Sequence, residues 1–388
     1  MQLDPHRRLN PLNCEEPVLS IPCELQALDR QIESLLNRFA DFQMPYPWCC
    51  HIRYGMDVCA SLGCPPSSKE RPMKTHGFTT TTDEVLDGVN LTGQRIVITG
   101  ASTGLGEETA RSLAAHGAAI TMAVRDVARG DAAANRIRIA APDADLEVRQ
   151  LDLGTLASVR TFAHSLLAEH PSINVLINNA GIMACPQATT TDGFEMQFGT
   201  NHLGHFLLGV LLAPALMAGS PSRLVSLSSR GHSFADINLD DVNFEHTTYE
   251  PFVAYGRAKT ANALFAVGFQ KRFGHRGVQA FSVHPGGIHT ELGRHMTPDT
   301  ISTLTNRMAS SDRPFTWKTI AQGAATSVWA ATSPDLDGHG GAYLEDCGIA
   351  EVVADTGPLE TGVRAYALDA DRADGLWTLS ERLVGLSD

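Results

Sequence analysis

From about Gly88 onward, the chain alternates short runs of β-branched and apolar residues with longer stretches whose apolar positions recur at helical spacing. The runs predict strands over 95–99, 119–124, 146–151, 175–178, 223–228 and 279–284, with a short seventh over 342–344. The intervening spacing predicts helices over 105–116 (closed by Gly117), 156–169, 194–217 and 254–273. Strand and helix in strict alternation imply a parallel sheet covered on both faces. The expected fold class is α/β: a doubly wound, Rossmann-type parallel sheet of about seven strands. Its ligand crevice should lie beyond the strands' C-terminal ends.

The first part of the chain has a different pattern. Leu25, Leu28, Ile32, Leu35, Leu36 and Phe39 recur at helical spacing and predict one amphipathic helix over 24–42. Prolines, cysteines and the Cys64-Pro65-Pro66-Ser67-Ser68-Lys69 run follow it and suggest a linker. The expected organisation is an N-terminal extension over 1–75 and a single α/β domain over 76–388.

Charge and cysteine usage narrow the functional classes. Thirty Lys and Arg against 43 Asp and Glu give a formal charge of −13, which disfavours nucleic acid or an anionic membrane as partner. The longest apolar run, 206–219, is interrupted by Pro214 and is too short to span a bilayer. No secretory pattern opens the sequence, so a cytoplasmic protein with no membrane span is expected. Six of the eight cysteines (14, 23, 49, 50, 59 and 64) precede residue 65, and none forms a C-x-x-C pair. Reduced thiols and no metal site are the expectation. The histidines at 202, 205, 284, 289 and 295 show no metal-binding spacing with a paired acid.

The first predicted strand runs directly into Thr99-Gly100-Ala101-Ser102-Thr103-Gly104-Leu105-Gly106 and then a helix. In that setting Gly100 permits a tight turn, Gly104 lets backbone N–H groups approach a pyrophosphate, and Gly106 permits close helix–strand contact. The helix N-terminus adds partial positive charge for phosphates. At the end of the second strand an acid would accept from a ribose 2′-hydroxyl, whereas a base would accommodate a 2′-phosphate. Here Val124 stands where the acid would be, followed by Arg125, whose planar fork matches phosphate oxygens. NADP(H) is therefore expected over NAD(H). The alternative for Arg125 is a pairing with Asp126 or a helix cap.

Four motifs agree in order: Thr99–Gly106, Asn178-Asn179-Ala180-Gly181, Tyr255-Gly-Arg-Ala-Lys259, and Pro285-Gly286 with Thr290. With them the chain resembles the short-chain dehydrogenase/reductase family over roughly 88–388. The stretches 178–186, 192–197 and 201–206, with the long gap between Ser229 and Tyr255, look like one branch of it. That branch contains retinol dehydrogenases, the WW-domain-containing oxidoreductase and light-dependent protochlorophyllide reductase.

The resemblance implies hydride transfer between nicotinamide and a ketone, aldehyde or matching alcohol, with a bulky, lipophilic substrate. Tyr255 is the natural proton donor or acceptor, and Lys259, one helical turn away, should depress its pKa. By resemblance Lys259 also binds the nicotinamide ribose. Ser229 orients the carbonyl, with Ser228 as the alternative, and Asn201 holds a proton-relay water. Asn201 could equally be a buried, helix-bending amide.

The family pattern puts Gly100, Ser102, Thr103, Gly104, Leu105 and Gly106 at the cofactor phosphates and Asp152 and Leu153 at its adenine edge. Asn179, Ala180 and Gly181 form a turn beside it, with Tyr255 and Lys259 nearby. Pro285, Gly286, Ile288 and Thr290 cradle the carboxamide. Asn178 reads as cofactor-proximal or as a sheet brace. Substrate choice is expected from residues 291–317, with Met296, Met308 and Phe315, plus Cys185, Pro186 and Tyr343. A homodimer or homotetramer through the helices at 194–217 and 254–273 is the family habit. A non-catalytic NADPH-binding regulator, with the N-terminal helix as a docking arm, is the rival function.

Overall fold

The computed structural model describes residues 76–309, 316–357, 359 and 361–386. The helix expected over 24–42 and the cysteine-rich stretch lie outside the described residues.

Six parallel strands follow the expected apolar runs: β1 (Arg95–Thr99), β2 (Ala119–Val124), β3 (Leu146–Gln150), β4 (Val175–Asn178), β5 (Ser222–Leu227) and β6 (Val278–His284). A short β7 (Tyr343–Glu345) continues the parallel set, and β8 (Gly348–Ile349) pairs with it antiparallel. The sheet order is β3-β2-β1-β4-β5-β6-β7-β8, so it has eight strands rather than about seven. A separate two-stranded ribbon joins β9 (Val352–Val353) to β10 (Val363–Arg364). These last strands escape a pattern reading because two residues carry no periodicity.

Helices cover both faces, as the alternation requires. One face carries α1 (Thr82–Leu86), α2 (Gly104–Ala115), α3 (Val127–Ala140) and α8 (Ile320–Thr332). The other carries α4 (Leu156–Glu169), α5 (Met196–Ala218), α6 (Pro251–Phe273) and α9 (Ala370–Leu383). An amphipathic α7 (Pro298–Ala309) follows β6. Ile96, Ile98, Ile120, Met122, Val225 and Phe281 are fully buried between sheet and helices. Local signals set the helix starts. Thr81 and Glu84 cap α1 reciprocally, and Glu250 caps α6 with Pro251 at the first helical position.

Helix α5 is long and apolar enough to cross a bilayer by length and composition, yet 83% of its most apolar window is buried inside the protein. The run 206–219 is therefore only part of the apolar helix. Its missing polar face reflects burial against α4, β4 and β5. The first turns of α5 also widen, with Gly199–Leu203 forming a single π turn. The sheet's winding reverses between β1 and β4, and this reversal opens a crevice at their C-terminal ends.

Among the described residues four histidines, His202, His205, His232 and His284, are buried as neutral groups. Burial pushes His202 down to about 3, and His205 and His232 to about 4. An unfolded chain protonates them below their ordinary value near 6.5, whereas the folded chain does not. Stability should therefore fall as pH drops from about 6.5 towards 4, by about 1.4 kcal/mol per pH unit for each histidine. Melting temperature across this window checks it. His205→Gln should flatten the slope, and a wild-type melting temperature level down to pH 4.5 would contradict the expectation.

Candidate active site

A single cleft of about 920 Å³ runs along the C-terminal ends of β1, β2, β4, β5 and β6. At one end lies the turn between β1 and α2. Gly100 adopts φ +66°, and a Cβ there would lie 2.9 Å from the Cα of Ala180. Gly106 meets the turn even more closely: a Cβ would stand 2.3 Å from the Gly100 carbonyl oxygen and 2.6 Å from Asn179 Nδ2. Thr103 starts α2 without a side-chain cap, so the helix N-terminus opens into the cleft beside Ser102, Gly104 and Leu105. Free N–H groups at such an end favour an anion.

Thr99 ties this turn to α5. Its Oγ1 accepts from the backbone N–H groups of Asn179 and Ala180, both at 2.9 Å, and lies 2.8 Å from His205 Nε2. With both N–H groups donating to it, the Thr99 hydroxyl must donate onward to Nε2. Nδ1 of the neutral imidazole then carries the hydrogen and donates to the Asn201 carbonyl at 2.9 Å. Asn179 Nδ2 donates to the Thr99 carbonyl at 2.8 Å, which braces the turn. Asn178 forms no such brace among the described residues, where neither atom of its buried amide has a hydrogen-bond partner.

Asn201, expected to hold a proton-relay water or to be a buried amide, has its side chain turned inward. It is fully buried and absent from the cleft wall, and its amide is engaged at both ends by Ile182, accepting from N and donating to O at 2.9 Å. That pairing pins the residues after Gly181 to the π turn, where a Cβ on Gly181 would stand 3.3 Å from Asn201 Oδ1. Its side-chain amide thereby ties the π turn to the turn after Gly181.

At the cleft's other end, Ser229, Tyr255 and Lys259 come together at the junction of β5 and α6. Ser229 Oγ accepts from Gly231 N at 3.0 Å, leaving its O–H to donate. Ser228 turns away, donating to the Lys259 carbonyl at 2.7 Å. Lys259 Nζ donates to the Leu227 carbonyl at 2.8 Å and lies 5.7 Å from the Tyr255 ring centre. Burial pushes the ammonium down to about 7. Burial also pushes the Tyr255 phenol up to about 12, with Ser229 pulling the other way. This corrects the expected depression of the phenol by Lys259. In the protein alone, desolvation is the largest influence on both groups.

The remaining expected positions divide. Arg125, Asp152, Leu153, Ala180, Gly181, Pro285, Gly286, Ile288 and Thr290 all line the cleft. Asp126 caps α3 by accepting from Arg129 N at 3.1 Å, so it is not simply Arg125's partner. Met296 lines the cleft, whereas Phe315 and the side chain of Met308 lie outside the described residues. Cys185 and Tyr343 are buried away from the cleft wall, and Pro186 is exposed outside it. Tyr343 is occupied elsewhere, with its hydroxyl 3.3 Å from His232 Nδ1.

Several further contributors were not singled out individually from the sequence. Met183, Met196, Phe234, Phe252 and Leu359 supply apolar wall. Arg129 and Glu291 form a two-bond clasp at 2.9 and 2.7 Å on the cleft's rim. Buried Lys318 pairs with Asp346 at 2.5 Å and packs so closely under Gly286 that a Cβ there would stand 2.8 Å from Lys318 Cδ. Long-range packing joins these pairs, and no short spacing announces them.

A narrow glycine cradle, a free helix N-terminus and hydroxyls leading to a buried Ser–Tyr–Lys group fit a dinucleotide whose reactive ring reaches the far end. Comparison with known proteins agrees. The short chain dehydrogenase family profile matches residues 94–300. The chain belongs to the short-chain dehydrogenase/reductase family.

Among relatives, the short-chain dehydrogenase/reductase prx1 of Penicillium roqueforti is 42% identical over 304 residues, covering 77% of this chain and 87% of the relative. Retinol dehydrogenase 14 of Homo sapiens is 41% identical over 308 residues, covering 76% and 87% respectively. A crystal structure of an uncharacterised protein from Mycobacterium Paratuberculosis is 36% identical, with a TM-score of 0.60, and covers 79% of this chain and 98% of that one. The chain is thus an NAD(P)-dependent oxidoreductase of the retinol dehydrogenase-like branch, acting on alcohol or carbonyl groups.

Proposed function

We propose that this short-chain dehydrogenase/reductase prefers NADPH and reduces a carbonyl on a largely apolar body, or oxidises the matching alcohol, with Tyr255 moving the proton. The observation that carries the reading is the convergence of Ser229, Tyr255 and Lys259 at the end of the cleft that begins at the glycine turn. Bound along that cleft, the nicotinamide dinucleotide supplies hydride to the carbonyl carbon. Every other task falls to the chain.

The Ser229 hydroxyl, with its acceptor side taken by Gly231, donates to the carbonyl oxygen and polarises it. Tyr255, neutral at physiological pH, delivers its phenolic proton to the developing alkoxide. The phenolate left behind draws a proton onto Lys259, because a buried anion beside a group near pH 7 favours the ammonium. In oxidation the same groups run in reverse. Met183, Met196, Phe234 and Phe252 exclude water from the reacting end.

Preference for the 2′-phosphate rests on Val124 and Arg125 at the end of β2, with Asp126 engaged as a helix cap. A test pairs NADPH and NADH with a panel of aliphatic, aromatic and polycyclic ketones and aldehydes. Turnover with NADPH at least tenfold above NADH is expected. Arg125→Ala should erode that preference by about 10- to 100-fold, the range of one or two hydrogen bonds to a charged group. Equal use of both cofactors, or unchanged selectivity in the variant, would remove Arg125 from the phosphate site. Tight NADPH binding without turnover of any carbonyl would favour a regulatory protein instead.

A further inference from the structure

Arg230 follows Ser229 directly and lines the cleft. Its Nε is buried with no partner, and among the described residues the guanidinium makes no hydrogen bond or ion pair. A cation in a partly desolvated place without a partner is unfavourable unless a ligand completes it. Glu345 lies near enough to feel its charge, without a hydrogen bond or ion-pair contact to it. Glu345 accepts from Gly362 N at 2.6 Å, and Asp346 pairs with Lys318 at 2.5 Å. The buried arginine of the cleft wall, Arg364, is fully used: it donates to the carbonyls of Ala354, Thr356 and Gly357, the Thr356 bond at 2.9 Å.

His284 is held against the Arg230 backbone and lines the same cleft. His284 Nδ1 accepts from Arg230 N at 3.1 Å and from Gly286 N at 3.4 Å, so the hydrogen of the neutral ring sits on Nε2. Among the described residues that nitrogen has no hydrogen-bond partner. Burial and the nearby cations hold His284 well below its ordinary range, which keeps it a neutral donor.

We infer that the Arg230 guanidinium and His284 Nε2–H form a carboxylate-binding subsite next to the carbonyl-orienting serine. The substrate is then an oxo acid, or the matching hydroxy acid, with an apolar remainder. A guanidinium fork takes a carboxylate through two parallel hydrogen bonds, and a neighbouring imidazole N–H satisfies a further lone pair. Phe234, Phe252 and Leu359 complete the wall against which the hydrocarbon packs. This inference rests on the reading of the cleft as a carbonyl-reducing site and specifies its substrate.

The test has a binding arm and a turnover arm. The full chain saturated with NADP is titrated with decanoate and with decanol, which share a hydrocarbon body and differ in charge. Decanoate should bind the wild type more tightly. Arg230→Leu should weaken decanoate by about 10- to 100-fold and leave decanol nearly unchanged, while Arg230→Lys retains part of the discrimination. NADPH affinity serves as the check that each variant is folded.

In turnover, 4-oxodecanoate should exceed its methyl ester in kcat/KM by at least tenfold, and Arg230→Leu should bring the two together. Equal binding of acid and alcohol by the wild type, or parallel weakening of both in Arg230→Leu, overturns the subsite. Selective decanoate binding without turnover of acid or ester would instead overturn the carbonyl-reducing reading and leave the anion site standing.

Discussion

Tyr255→Phe should lower kcat by about 10²- to 10⁴-fold, the range for losing a positioned general acid, while NADPH binds almost as before. The ring is buried on α6, and Phe keeps its shape, so packing of the helix against the sheet is preserved. What disappears is one hydroxyl beside Ser229 and Lys259. The proton must then come from water, which the apolar wall keeps out. Single-turnover kinetics with NADPH and a carbonyl substrate, alongside a fluorescence titration of the cofactor, separate the two effects. A parallel loss of cofactor affinity would show that the phenol anchors the dinucleotide rather than moving a proton. Because the phenol sits near 12 in the protein alone, Tyr255 stays protonated across neutral pH and does not itself limit reduction there. The decline of reduction should follow the titration of Lys259, which lies near 7.

Gly106→Ala should remove most dinucleotide binding and lower stability by about 1–3 kcal/mol, the usual scale of overpacking. The obstacle is backbone: the new methyl would meet the Gly100 carbonyl at 2.3 Å, and no side-chain rotation relieves that contact. Helix α2 must back away from β1, which moves the N–H groups that receive the pyrophosphate. Affinity for NADPH should fall at least tenfold. Gly77→Ala is the control, since a Cβ there meets nothing within 4 Å. Wild-type affinity in Gly106→Ala would show that the close approach of helix and turn is not what forms the phosphate site.

The catalytic pair shows how far a motif reading reaches. Tyr255 and Lys259 lie one turn apart on α6, so their common face follows from spacing alone. Their protonation does not follow from spacing. It depends on how completely other segments bury them, and burial moved the phenol in the opposite direction from the expectation based on Lys259 alone. Asn201 teaches the same lesson. Its place on α5 was legible, but the engagement of its amide by Ile182 required the π turn and the 180–182 turn to meet.

Substrate-facing residues were the least legible. Cys185 and Tyr343 were expected to face substrate yet pack inward, while Phe234, Phe252 and Leu359 come from segments with no distinguishing pattern. Arg230 looked like an ordinary charge after a strand. Only the burial of its Nε, with no hydrogen-bond partner among the described residues, distinguishes it.

By itself the sequence determined the alternation of strands and helices, the glycine turn after β1 and the Tyr–Lys face of α6. Each depends on neighbours within a few residues, where backbone geometry leaves few choices. The tertiary structure alone decided the eighth strand, the neutral histidine linking Thr99 to Asn201, the charge states of Tyr255 and Lys259, and the partnerless guanidinium. These arise from desolvation and from contacts between segments up to hundreds of residues apart, which no local pattern encodes.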